Sequence, residues 1–80
     1  MKVMEALQAL IQQIRLANGQ PPLESVSPSL RWREDLGFDS FALAELAVYT
    51  ERDFGVDAFQ DGVPPTVGEL ANRIEQLQPK

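Results

Sequence analysis

Residues 34–55, EDLGFDSFALAELAVYTERDFG, decide how the rest of the chain is read. Asp39 and Ser40 are both helix-capping types, because a short side chain bearing oxygen satisfies a free amide of the first turn. From there nothing interrupts a helix until Gly55, so the segment predicts a helix from Asp39 or Ser40 to about Phe54. Mapped at about 100° per residue, Leu43, Leu46, Ala47, Thr50 and Phe54 share one face, the spacing of a core stripe. Phe41, Ala44, Glu45, Val48 and Arg52 fall on another, with Glu51 at its edge. A helix of a small bundle needs one apolar face, so the second is expected to be partly exposed. It is either a partner-binding strip rimmed by carboxylates or a set of ordinary scattered surface residues.

Working outward, two further segments carry helical periodicity. Val3, Leu7, Leu10, Ile11 and Ile14 recur at helical spacing with Gln and Glu between them, and Asn18-Gly19 then Pro21-Pro22 end that run. Near the other end, Thr66-Val67-Gly68-Glu69 matches a capping box, followed by Val67, Leu70, Ala71, Ile74 and Leu77 on one face. The connection from about Gly19 to Phe38 is long, and it carries Leu23, Val26, Leu30, Trp32 and Leu36, as expected of a loop pinned to a core. Trp32, the single tryptophan, is expected to plug that core. Val56–Val63 has room for one helical turn at most. With no repeats and no β-alternation, the chain is expected to be all-α, a small helical bundle formed by residues 1–80 as one domain.

Composition removes whole classes of function. There is no cysteine and no histidine, so neither a Ser-His-Asp nor a Cys-His constellation can be assembled within the chain. Twelve acidic residues against seven basic ones give a charge of −5, and two lysines and five scattered arginines do not make a phosphate-backbone footprint. Nucleic acid is therefore not an expected partner, whereas an acidic surface suits basic patches on proteins. Apolar runs fall far short of a membrane span, and Met1–Leu16 lacks a signal-peptide centre, so the chain is expected in the cytoplasm and away from membranes. Asp53, Asp57 and Asp61 lie four apart with no closing glutamate, which excludes an EF-hand loop. An apolar share of 44% supports a modest core without metal or disulfide.

Ser40 leaves two readings open. As a first-turn serine beside Asp39 it can be simply a cap. The start of a helix also presents free amides and a positive dipole end, which favour an attached phosphate, and Gly37 lets the backbone turn sharply and keeps the approach to Ser40 open.

The run Glu34-Asp35-Leu36-Gly37-Phe38-Asp39-Ser40-Phe41 resembles the prosthetic-group motif of acyl carrier proteins, usually written Asp-Leu-Gly-x-Asp-Ser-Leu. Glu45-Leu46, Glu51, Phe54-Gly55-Val56 and Thr66-Val67 continue the likeness in frame, so it covers most of the chain. The resemblance implies a four-helix bundle with a long first loop and a short third helix. It implies a non-enzymatic carrier whose Ser40 receives 4′-phosphopantetheine from coenzyme A through a phosphopantetheinyl transferase, with Asp39 and Gly37 supporting the attachment. The arm supplies a thiol on which acyl groups travel as thioesters to loading, condensing or tailoring enzymes of fatty-acid, polyketide or related biosynthesis. Those partners are expected to dock on Phe41, Glu45, Val48 and Glu51 of a monomeric protein.

The chain also departs from that family. Phe41 stands for the usual leucine or isoleucine, and Ala42 and Arg52 stand where many fatty-acid carriers are acidic, which implies a different partner set. Asp57–Pro65 is shorter than usual, which bears on the third helix. Thr50 replaces a larger aliphatic and implies a more polar interior. An aminoacyl or peptidyl carrier and an unmodified helical adaptor are the alternatives. Asp39 favours the acyl class, because peptidyl carriers more often place Gly-Gly-x-Ser there.

Overall fold

The computed structural model describes residues 3–78; Met1, Lys2, Pro79 and Lys80 of the expected 1–80 domain lie outside the described residues. Three helices form: α1 (Val3–Ala17), α2 (Ser40–Phe54) and α3 (Val67–Leu77). The apolar row of α1 is buried at Val3, Leu7, Leu10, Ile11 and Ile14, and it packs against both other helices. Asn18 closes α1 by donating from its backbone N and from Nδ2 to the Ile14 carbonyl, at 3.1 and 2.8 Å. Gln20 N then reaches back to the Arg15 carbonyl at 2.9 Å, satisfying a second orphan acceptor before the prolines forbid another turn.

The polar row of α1 holds the long connection. Gln8 Nε2 donates to the Val26 carbonyl at 2.7 Å. Gln12 forms a two-way clamp, Nε2 to the Leu23 carbonyl at 2.7 Å and Oε1 from the Leu23 amide at 2.8 Å. Irregular backbone lying on a core must still satisfy its amides and carbonyls, and these side chains do so where no helix or strand can. Val26, Trp32, Leu36 and Phe38 are thereby buried, with Leu23 and Leu30 packed against them.

The same connection caps α3. The Thr66 hydroxyl accepts from Glu69 N at 3.3 Å, and the Val67 and Gly68 amides donate to the carbonyls of Leu30 (3.0 Å) and Pro28 (2.8 Å). An isolated antiparallel bridge between Arg31 and Thr66 sits beside these bonds. Only half of the expected capping box forms, since the Glu69 carboxylate meets the Thr66 hydroxyl at 3.4 Å instead of its amide.

Several expectations are corrected. The short third helix does not form: among the described residues there are three helices, and residues 58–61 make turns. Pro64 and Pro65 bias their predecessors away from helix, and so short a segment cannot repay helix nucleation. It is held instead by Arg73 Nη1, which donates to the carbonyls of Ala58 (3.2 Å) and Gly62 (3.1 Å), while Ala58 is buried beneath it. On α2 the fully buried residues are Ala42, Leu46, Thr50 and Phe54, with Leu43 and Ala47 only half-buried. Leu77, expected on the core face, is exposed in the last turn of α3.

Gly68 lies where Pro28 crosses α3: a Cβ built there would meet Pro28 Cβ at 2.9 Å and its carbonyl oxygen at 3.1 Å. Alanine is the better helix former by about 1 kcal/mol, but overpacking against a rigid ring costs about 1–3 kcal/mol. Gly68→Ala is therefore expected to lower the urea midpoint despite its favourable propensity; a raised midpoint would show that the loop yields freely.

Candidate functional site

The segment before α2 folds as a tight double turn. The Asp35 carboxylate accepts from Arg31 N at 2.8 Å and from Arg31 Nε at 3.2 Å, and these bonds hold its carboxyl below the usual carboxylate range. Leu36 N donates to the Arg31 carbonyl at 3.1 Å and Phe38 N to the Trp32 carbonyl at 2.8 Å. Trp32, Leu36 and Phe38 thus all point inward. The Trp32 and Phe38 rings lie 5.7 Å apart, and the indole donates to the Pro64 carbonyl at 2.6 Å. Trp32 is 4% exposed, the core plug expected of it. Between Leu36 and Phe38, Gly37 takes φ +70°, a left-handed conformation that lets two inward residues stand so close in sequence.

This geometry assigns the cap. Asp39 is extended (φ −95°, ψ −174°), and its carboxylate accepts from Ala42 N at 2.8 Å. Ser40 is the first helical residue, exposed, and its hydroxyl is free of capping duty. Leu43 N is bonded to the Asp39 carbonyl, but the Ser40 and Phe41 amides meet no acceptor among the described residues. At α3, by contrast, the loop occupies the corresponding amides. The start of α2 therefore offers open donors beside an uncommitted primary hydroxyl, and Arg33 Nη2 donates to that hydroxyl at 3.2 Å. Sequence reasoning missed Arg33. It sits seven positions upstream in a loop without periodicity, and only the double turn brings it back to Ser40.

Along the outer face of α2, Phe41 and Val48 are 67% and 63% exposed, and Glu51 is exposed as well. Phe41 and Val48, with Ala44, Glu45 and Tyr49, line a shallow groove of about 230 Å³. Glu45 is half-buried and accepts from Asn18 Nδ2 at 3.1 Å, so its position is fixed. Arg52 stacks 4.6 Å above the Tyr49 ring and pairs with Asp53 at 2.8 Å. Ala42 is buried and contributes nothing to this face, contrary to the expectation that its difference from acidic relatives alters the partner surface. A second groove, of about 340 Å³, opens beside Ser40's turn between Arg33, Trp32, Leu43 and Pro64.

The arrangement suits an anionic substituent on the Ser40 oxygen. The one side chain that meets this hydroxyl among the described residues, Arg33, is a cation and a donor, not a general base. Among the described residues there is no acidic cluster fit for a metal ion and no helix long and apolar enough to cross a membrane.

A family model described as the phosphopantetheine attachment site matches residues 5–74. The acyl carrier protein of Rickettsia bellii (strain OSU 85-389) is 46% identical over 35 residues, a stretch that takes in 44% of this chain and 43% of that protein. No solved structure matches the chain significantly.

Gly37→Ala places a Cβ at φ +70° and within 2.7 Å of Gln20 Nε2. The flexible amide can move aside, so the backbone conformation sets the penalty, about 1–2 kcal/mol. Gly37→Asn, which tolerates that conformation, is expected to lose less in the same unfolding assay.

Proposed function

The chain belongs to the phosphopantetheine-attachment family, that of the acyl carrier proteins, and from that premise we propose that Ser40 is the residue to which the prosthetic group is joined. The observation that carries this is the state of its hydroxyl, exposed at the head of α2 and released from capping by Asp39. The surroundings fit the group. Its phosphate would meet the open Ser40 and Phe41 amides and the Arg33 guanidinium, donors suited to a phosphodiester. Asp39 supports the site by fixing the first turn, and Gly37 by letting the chain fold inward just before it. Bound there, 4′-phosphopantetheine would supply the thiol the chain lacks, on which acyl groups ride as thioesters.

On this proposal the protein performs no chemistry of its own. A phosphopantetheinyl transferase loads Ser40, and acyl-loading, condensing or tailoring enzymes of fatty-acid, polyketide or related biosynthesis then visit in turn. Such visits require a face that stays open. Phe41 and Val48, rimmed by Glu45 and Glu51, provide an apolar strip with an acidic edge, suited to brief docking against basic enzyme surfaces. We take residues 1–80 to act as one carrier domain, monomeric and cytoplasmic. Its radius of gyration of 11.6 Å supports the single domain, being about what a compact chain of this length gives.

Mass spectrometry after incubation with coenzyme A and a broad-specificity transferase tests the attachment. The wild type is expected to gain a single phosphopantetheinyl group and Ser40→Ala none. An unlabelled wild type removes the proposal and leaves a helical adaptor, and a labelled Ser40→Ala moves the attachment to another residue. Val48→Asp, at a residue 63% exposed, is expected to raise the transferase KM about tenfold with unfolding unchanged; an unaltered KM would place docking elsewhere.

A further inference from the structure

We infer that Arg33 holds the phosphodiester through which the prosthetic arm is joined to Ser40, donating in parallel from its guanidinium to the two non-bridging oxygens. This inference rests on Ser40 being the attachment residue.

It follows from what each arginine is already doing. Arg15 is buried and bonded to the Leu36 and Pro21 carbonyls. Arg31 is engaged by Asp35 at 3.2 Å and Arg52 by Asp53 at 2.8 Å. Arg73 donates to the Ala58 and Gly62 carbonyls. Arg33 alone of the five pairs, among the described residues, with neither a carboxylate nor a carbonyl; its bond is to the Ser40 hydroxyl at 3.2 Å. A guanidinium has five donors in a planar fork, and a neutral hydroxyl uses one of them poorly. Esterification would replace that hydroxyl with a permanently anionic group whose free oxygens project just beyond Oγ, within reach of the fork with little movement. Arg–phosphate pairing of this kind is two-pronged and charge-assisted.

The local charge makes such a cation useful. Glu34, Asp35 and Asp39 all lie within six residues of Ser40 in sequence. The Asp35 carboxylate is met by Arg31 and that of Asp39 by the Ala42 amide. Glu34 lines the same groove as Arg33 and forms no salt bridge among the described residues, its charge being felt by Arg31, which Asp35 already engages. Arg33 also borders the groove beside Trp32 and Leu43, so a diester held on it would have the base of the arm fixed at the groove's rim rather than free in water.

The test uses the fully labelled protein and phosphorus NMR. Wild type, Arg33→Gln and Arg33→Lys are each labelled with excess transferase and coenzyme A, and the resonance is compared with that of the same protein unfolded in urea. In the wild type it is expected to lie away from the unfolded position and to move toward it as salt is raised. In Arg33→Gln it is expected to sit near the unfolded position at all salt concentrations, with Arg33→Lys between the two. Unfolding midpoints of the unlabelled proteins should be equal in all three, since Arg33 is exposed and bonds there only to a neutral hydroxyl. A resonance indifferent to Arg33 and to salt overturns the inference while leaving the attachment intact. A wild type that takes no label removes the attachment itself, and the two failures are thereby distinguished.

Discussion

The guanidinium of Arg15 is the point on which the rest of this structure turns. It is 8% exposed, on the inner side of α1, and donates to the Leu36 carbonyl at 2.6 Å and the Pro21 carbonyl at 2.9 Å, with Gln20 Oε1 at 3.4 Å. Burying a charge is costly unless it is well hydrogen-bonded. Here no carboxylate is involved; backbone dipoles from the two ends of one long connection meet its two terminal nitrogens, while its buried Nε has no partner among the described residues. A single side chain thus joins the first helix, the start of the connection and the turn that precedes Ser40. Removing it would leave the Leu36 carbonyl, four residues from the serine, and the Pro21 carbonyl without this donor. The position of the Ser40 hydroxyl is therefore set in part from α1, a different helix from the one it heads.

What the sequence revealed follows from which interactions leave a local signature. Asp39, Gly55, Thr66 and the Asn18-Gly19 pair mark helix ends because caps act between near neighbours, and the end of α1, both ends of α2 and the start of α3 fall where those residues predict. Trp32 and the apolar residues of the connection were legible as core because nothing else would place them in a loop. The clamps by Gln8, Gln12 and Arg15 were not legible, since a polar residue bonding a distant loop carbonyl has no characteristic spacing. Arg33 was hidden for the same reason. At Val56–Val63 the resemblance suggested a short helix, and the two prolines that follow prevailed over it. The α2 stripe shifted because Ala42, a small side chain, sits against the core where an apolar wheel gives Leu43 equal claim.

The two sides of α2 divide the work of the helix. Its inner side fixes the fold through Leu46 and Phe54, and its outer side exposes Phe41 and Val48. Thr50 is the exception on the inner side: it is 1% exposed and its hydroxyl has no hydrogen-bond partner. An unmet buried hydroxyl costs about 1–3 kcal/mol, and nothing in the structure compensates it. A more polar interior was expected from that residue, and the buried oxygen is the form it takes. Arg52, read from the sequence as part of the exposed face, is drawn into a stack on Tyr49 and a bond to Asp53. The acidic character of the face is left to Glu45 and Glu51.

The bonds from Val67 and Gly68 to the Leu30 and Pro28 carbonyls carry one more consequence. First-turn amides of a helix ordinarily exchange with water freely, since nothing within the helix protects them. In α3 these two are sealed by a neighbouring segment, so their protection is lost only when that segment lifts away. Thermodynamically they belong to the connection and not to the helix that contains them, so lifting residues 28–30 would open the head of α3 with them.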